Sequence, residues 1–155
     1  MARPREPQDN FGFLIHDVAR LLRKNFSRRV QSFGLTQEQS RVIVHLSRCE
    51  GIQQVDLAEL LEIKPITLAR LLDKLQDNGL IERRVNPDDR RAFRLYLTRA
   101  AHAVLKKILV IGAATHADAY RHISASDLEI TFSVLSQLKA NLVNAEENLL
   151  SNLKK

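Results

Sequence analysis

The sequence predicts a mainly α fold: a winged helix-turn-helix lobe with a two-stranded wing, plus N- and C-terminal helices forming a dimerisation platform. Three observations carry this. Two short amphipathic segments meet at a turn around Ile63 and Lys64, with Leu57, Leu60 and Leu61 on the first and Leu68, Leu71, Leu72 and Leu75 on the second. Directly after them the period changes from helical to alternating, in Ile81 to Val85 and Phe93 to Leu97, around the polar turn Asn86-Pro87-Asp88-Asp89-Arg90-Arg91. Long apolar stripes occupy both ends of the chain.

Residues 1–9 carry Pro4, Pro7 and scattered charge, and read as a flexible arm. Residues 10–155 read as one domain, with the DNA-binding lobe in 35–98 and dimerisation helices in 10–34 and 99–151. A helix is expected from Asn10 to Phe33, striped by Phe11, Leu14, Ile15, Val18, Leu22, Phe26, Val30 and Phe33. The stripe is too wide for one small lobe, so a second subunit is expected against it. Gly34 suits the position just past the helix, with Leu35 making the apolar contact beyond. Thr36-Gln37-Glu38-Gln39 is a capping box for a helix running to about Arg48 and burying Val42, Ile43 and Leu46.

A short helix follows from about Val55 to Glu62. The next begins near Lys64, where Pro65 fits the first turn because its missing N–H has no helical partner to lose. Asn78-Gly79 stops it. In the hairpin, Phe93, Leu95 and Leu97 face one way and Arg94 and Tyr96 the other. Thr98 caps a helix from Arg99 to about His122, and Gly112 inside it predicts a bend or a close helix approach. Ser124 caps the last helix, whose Leu128, Phe132, Leu135, Leu138, Leu142, Ala145 and Leu149 approach a heptad seam that needs a partner.

The totals exclude several classes. The chain has 155 residues, 45% hydrophobic and 27% charged, so it can bury a core. Its net charge of +6 suits nucleic acid. A single cysteine, Cys49, rules out an internal disulfide and fits the cytoplasm. No signal peptide and no membrane span are evident. Five glycines argue against a glycine-rich phosphate loop, and the five histidines show no tight metal spacing. No nucleophile elbow or Ser/His/Asp pattern suggests an enzyme, and no cofactor is implied.

Leu68 to Arg84, followed by Asn86 to Thr98, resembles the MarR family of bacterial transcriptional regulators. The family's wing pattern, Asp, any residue, Arg, then a strand ending Leu-Thr, falls on Asp89, Arg91, Leu97 and Thr98. Gly34-Leu35-Thr36 is also similar to the family, and the likeness spans about Phe11 to Leu149. It implies a cytoplasmic homodimer on double-stranded DNA at a pseudo-palindromic operator. Such a protein is most often a repressor released by a small aromatic or phenolic ligand. Many members carry a small polar residue or proline where this chain has Ile66, which implies a different base preference there. The cysteine that redox-sensing members carry in the first helix is absent.

On this reading Lys64, Ile66, Thr67 and Arg70 form the exposed face of the recognition helix. Arg70 suits a bidentate contact to guanine, Thr67 a base edge or phosphate, and Ile66 a thymine methyl. Arg91 would enter the minor groove, oriented by Asp89, while Arg90 meets phosphate. Gln53 and Gln54 would offer amides and backbone N–H groups to phosphate. By family likeness and helical phase, Phe13, His16, Arg20 and Arg41 are the candidates for an aromatic-acid pocket where the dimer helices meet the lobe. The competing reading is a helical protein-interaction module whose wing no longer reads DNA.

Overall fold

The computed structural model describes residues 10–87 and 92–153. The elements run α1 (Phe11–Gln31), α2 (Gln37–Leu46), α3 (Gln54–Leu60), α4 (Pro65–Asp77), β1 (Ile81–Val85), β2 (Phe93–Leu97), α5 (Arg99–Ala119) and α6 (Ala125–Leu153). They fall into two compact units, Met1–His116 and Ala117–Lys155.

In the first unit, Asn10 caps α1 by accepting from the Gly12 N–H at 2.9 Å. The helix stops at Gln31, short of the expected Phe33, and the chain turns at Gly34, whose φ of +72° suits a residue without a Cβ. Val30 is fully buried, whereas Phe11, Leu14, Ile15, Val18 and Leu21 lie exposed along the front of the helix. Thr36 and Gln39 form the expected capping box at the start of α2: the Gln39 N–H donates to Thr36 Oγ1 at 3.2 Å and the Thr36 N–H to Gln39 Oε1 at 2.9 Å. Val42, Ile43 and Leu46 are buried as expected.

Helix α3 departs from the expected pattern. Leu57, Ala58 and Leu61 are its buried residues, and Leu60 is 50% exposed. At about 100° per residue, a face centred between Leu57 and Ala58 turns Leu60 roughly 110° away. The helix also ends at Leu60, with Leu61 as its cap and Glu62 at positive φ. In α4, Leu68, Leu72 and Leu75 are fully buried and Leu71 half-buried.

The strands pair antiparallel, from Ile81 opposite Leu97 to Val85 opposite Phe93. Ile81, Leu95 and Leu97 enter the core, while Phe93, at the outer end, is half exposed. A third segment, absent from the sequence reading, joins β2. The Gly51 N–H donates to Leu95 O at 2.8 Å, the Leu95 N–H to Ile52 O at 3.0 Å, and Gln53 bridges Arg94. Glu50 extends this tie by accepting the Leu97 N–H at 2.8 Å.

Thr98 Oγ1 accepts from the Ala101 N–H at 3.3 Å, capping α5, and donates to Gly79 O at 2.7 Å. Ala101, Ile108 and Ile111 are buried on the inner face of this helix. Of the bend or close helix approach expected at Gly112, the close approach is not found among the described residues. The helix continues through it, and no neighbouring atom lies within 4 Å of where its Cβ would stand.

In the second unit, Ser124 begins α6 as expected, its Oγ accepting the Asp127 N–H at 3.1 Å. Tyr120 meets Phe132 edge to face, 6.2 Å between ring centres. Of the seam, Leu128 and Leu138 are half-buried, and Phe132, Leu135, Leu142 and Leu149 lie exposed. Among the described residues no helix is long and apolar enough to cross a membrane.

Candidate nucleic-acid interface and ligand pocket

Helix α4 separates its residues by phase. Lys64 is its cap and Pro65 occupies the first turn. Burial of Leu68, Leu72 and Leu75 leaves Ile66, Thr67 and Arg70 exposed away from the core, and the cap residue Lys64 is exposed at the start of the helix. A cation, a hydroxyl and an apolar side chain therefore stand together on the first turns, with a second cation at the helix start. This set can meet phosphate, base-edge acceptors and a thymine methyl.

Arg83 ties the wing to this helix, and further interactions hold the wing itself together. Arg83 on β1 places one guanidinium nitrogen 2.7 Å from Asp73 and another 2.7 Å from Gln76, both on α4. Arg84 lies over the Tyr96 ring at 4.1 Å and is paired with Glu82. At the base of the turn, buried Asn86 accepts from Arg94 Nε at 2.9 Å and donates its own N–H to Ala92 O at 2.9 Å. Asp89, Arg90 and Arg91 lie outside the described residues. Gln53 and Gln54 stand half-buried at the start of α3, and Gln53 is held by the bridge to β2.

A second feature is a cavity of about 520 Å³ within the first unit. Phe26 of α1, Val44 of α2, and Ile108 and Leu109 of α5 supply its apolar lining. Arg41, His45, Arg48 and His116 supply its polar lining, beside Gln37 and Ser40. Arg41 donates to Leu61 O at 2.9 Å, closing the end of α3. Burial, then the Arg41 and Arg48 guanidiniums, hold the His45 imidazole below its usual pKa. Gly112 borders the cavity and leaves it open.

Of the four residues expected at a ligand pocket, Arg41 alone lines this cavity. Phe13 and His16 line a separate recess with Asn10 and Gly12, and Arg20 pairs with Asp17 at 3.1 Å. The sequence reading passed over His45 and Arg48. Their signal was present: Arg41, His45 and Arg48 recur at the i, i+4, i+7 spacing of one helical face. Cys49 donates from Sγ to His45 O at 3.1 Å, and burial raises its thiol pKa.

A family model described as MarR family matches residues 35–93. The chain is 34% identical to the solved structure of transcriptional regulator PA3341, covering 87% of this chain and 99% of that one, with a TM-score of 0.77. It is 23% identical to a crystal structure of MarR, over 94% of this chain and 99% of that one, with a TM-score of 0.82. A MarR-family transcriptional regulator from Silicibacter pomeroyi is 25% identical over 86% of this chain and 90% of that one, with a TM-score of 0.73.

Proposed function

Because this chain belongs to the MarR family of transcriptional regulators, we propose that it is a cytoplasmic homodimer that represses transcription from a pseudo-palindromic operator and is released by a small aromatic anion. The exposed set of Ile66, Thr67 and Arg70 on α4, with Lys64 at its start, is the observation that carries the DNA reading. Arg70 takes the guanine contact and Ile66 the thymine methyl. Arg91, oriented by Asp89, extends the contact into the adjacent minor groove, while Arg90, Gln53 and Gln54 meet the backbone. Exposed apolar side chains on α1 and on α6 support the dimer, since each helix leaves such a stripe uncovered. Two copies on one face of DNA set half-sites about one helical turn apart.

The effector reading rests on the cavity. Its apolar lining suits an aromatic ring, and Arg41 and Arg48 suit a carboxylate or phenolate. Phe13, His16 and Arg20 form no part of this cavity, and the effector reading does not use them.

The test is binding to DNA from upstream of the chain's own gene and from other candidate promoters, by fluorescence anisotropy at two salt concentrations. The expected result is tight binding to one of them, absent on scrambled DNA, with log affinity falling by about 0.9 per phosphate contacted. Arg70→Ala should relax base preference at a cost of about 1–3 kcal/mol. Arg91→Ala should weaken binding where the minor groove is narrow. Equal weak binding to every DNA, unchanged by both substitutions, would overturn the reading.

A further inference from the structure

Arg41, His45 and Arg48 occupy one face of the segment that forms one wall of the cavity. His116 faces it from α5, while α1 contributes the uncharged Phe26. Cys49 donates from Sγ to the His45 carbonyl. Among the described residues no carboxylate lines the cavity, so the histidine stands beside two guanidiniums and is partly withdrawn from water. Arginine does not deprotonate in proteins. The guanidiniums therefore stay cationic, and of the two imidazoles in the lining it is His45 that shares its segment with both of them.

From this geometry we infer that the cavity takes its anionic ligand together with one proton, which is held on His45. The inference rests on the effector reading above. In the empty cavity two cations and partial dehydration favour the neutral imidazole. A bound carboxylate reverses the sign of the nearest charge and accepts a hydrogen bond, so the imidazolium becomes the favoured form. The balance is one anion and one proton from the buffer taken up per site, with no covalent change. Linkage gives the sign: affinity for the anion rises as pH falls through the window between the lowered pKa of the free state and the higher pKa of the complex. The cavity is then a coincidence detector, answering most strongly to an organic acid when the surroundings are acidic.

The test uses the full chain and benzoate, an aromatic monocarboxylate ionised throughout the window. Calorimetric titrations from about pH 8 to about pH 5.5, each in two buffers of different ionisation enthalpy, read affinity and proton uptake together. The expected result is a gain of up to about tenfold in affinity per pH unit, with up to one proton taken up per site. His45→Gln should bind benzoate with no proton uptake and little pH dependence, and its melting curve checks that it folds. Arg41→Met should weaken benzoate at every pH. Benzoate binding with equal heats in both buffers and flat affinity would overturn the proton coupling and leave the pocket standing. Uptake that survives His45→Gln and disappears in His116→Gln would overturn the assignment to His45. No benzoate binding at any pH would overturn the effector reading, and the coupling with it.

Discussion

Arg83 joins the wing to the recognition helix, donating to Asp73 and to Gln76 at 2.7 Å each while its own side chain is only 20% exposed. The planar fork satisfies two acceptors one helical turn apart on α4, and it does so from the β1 face that also carries buried Ile81. The pair also neutralises a carboxylate on the helix proposed to meet DNA, where an unpaired Asp73 would repel phosphate.

Arg83→Ala should therefore weaken operator binding more than it weakens the fold. The Asp73 side chain is largely exposed, so the ion pair itself contributes about 1 kcal/mol or less to stability. Loss of wing position and return of the Asp73 charge should together lower DNA affinity by about tenfold, or 1.4 kcal/mol. Arg83→Lys should not restore it, because an ammonium cannot span both acceptors in the same geometry. Anisotropy beside thermal melting checks this. A fall in melting temperature with unchanged affinity would place Arg83 in the fold alone.

Arg41 has two neighbours of different kinds, and its removal should give two separable effects. One is the hydrogen bond to Leu61 O, which satisfies a carbonyl at the end of α3 just before Glu62 turns to positive φ. Arg41→Ala should cost about 1 kcal/mol there, seen as a lower denaturant midpoint. The other is the cation lost from the cavity, seen as weaker benzoate binding. Arg48→Ala removes a cavity cation without that helix-end bond, so it should weaken the ligand with a smaller change in stability. Equal stability losses in the two variants would argue against the distinction.

The fold was largely legible because its signals are local. The capping box at Thr36 and Gln39, Pro65 in the first turn of α4, and the alternation of Phe93, Leu95 and Leu97 all fall within a few residues. What escaped depends on distant partners. The segment of Gly51 to Gln53 is too short to show alternation, and only its bonds to Leu95 and Arg94 make it part of the sheet. Leu60 looked inward because leucine three residues after Leu57 fits a helical stripe, but Ala58 shifts the centre of the buried face. The exposed face of α4 was readable by phase from its buried leucines. The cavity was not: the Arg41, His45 and Arg48 spacing marks one wall, but Phe26 and His116 come from two other helices, and nothing along the chain announces that they meet that wall.

Gly112 sets stability against ligand access. A glycine within a helix costs about 1 kcal/mol relative to alanine, through backbone entropy. Here α5 runs unbroken past it, and an added Cβ would meet no neighbouring atom within 4 Å. Nothing within the described unit therefore requires the glycine for packing. Its place on the cavity border gives it another use, since a long side chain there would take up space that the proposed ligand needs. Gly112→Ala should raise stability by about 1 kcal/mol and leave benzoate binding close to that of the parent chain. Gly112→Leu should fill the cavity and abolish benzoate binding while leaving operator binding intact, so that DNA binding no longer responds to the anion. Thermal melting, calorimetry and anisotropy on the two variants check each part. If Gly112→Ala were destabilising, the position would be covered in the assembled dimer, and the glycine would serve a subunit contact instead of the cavity.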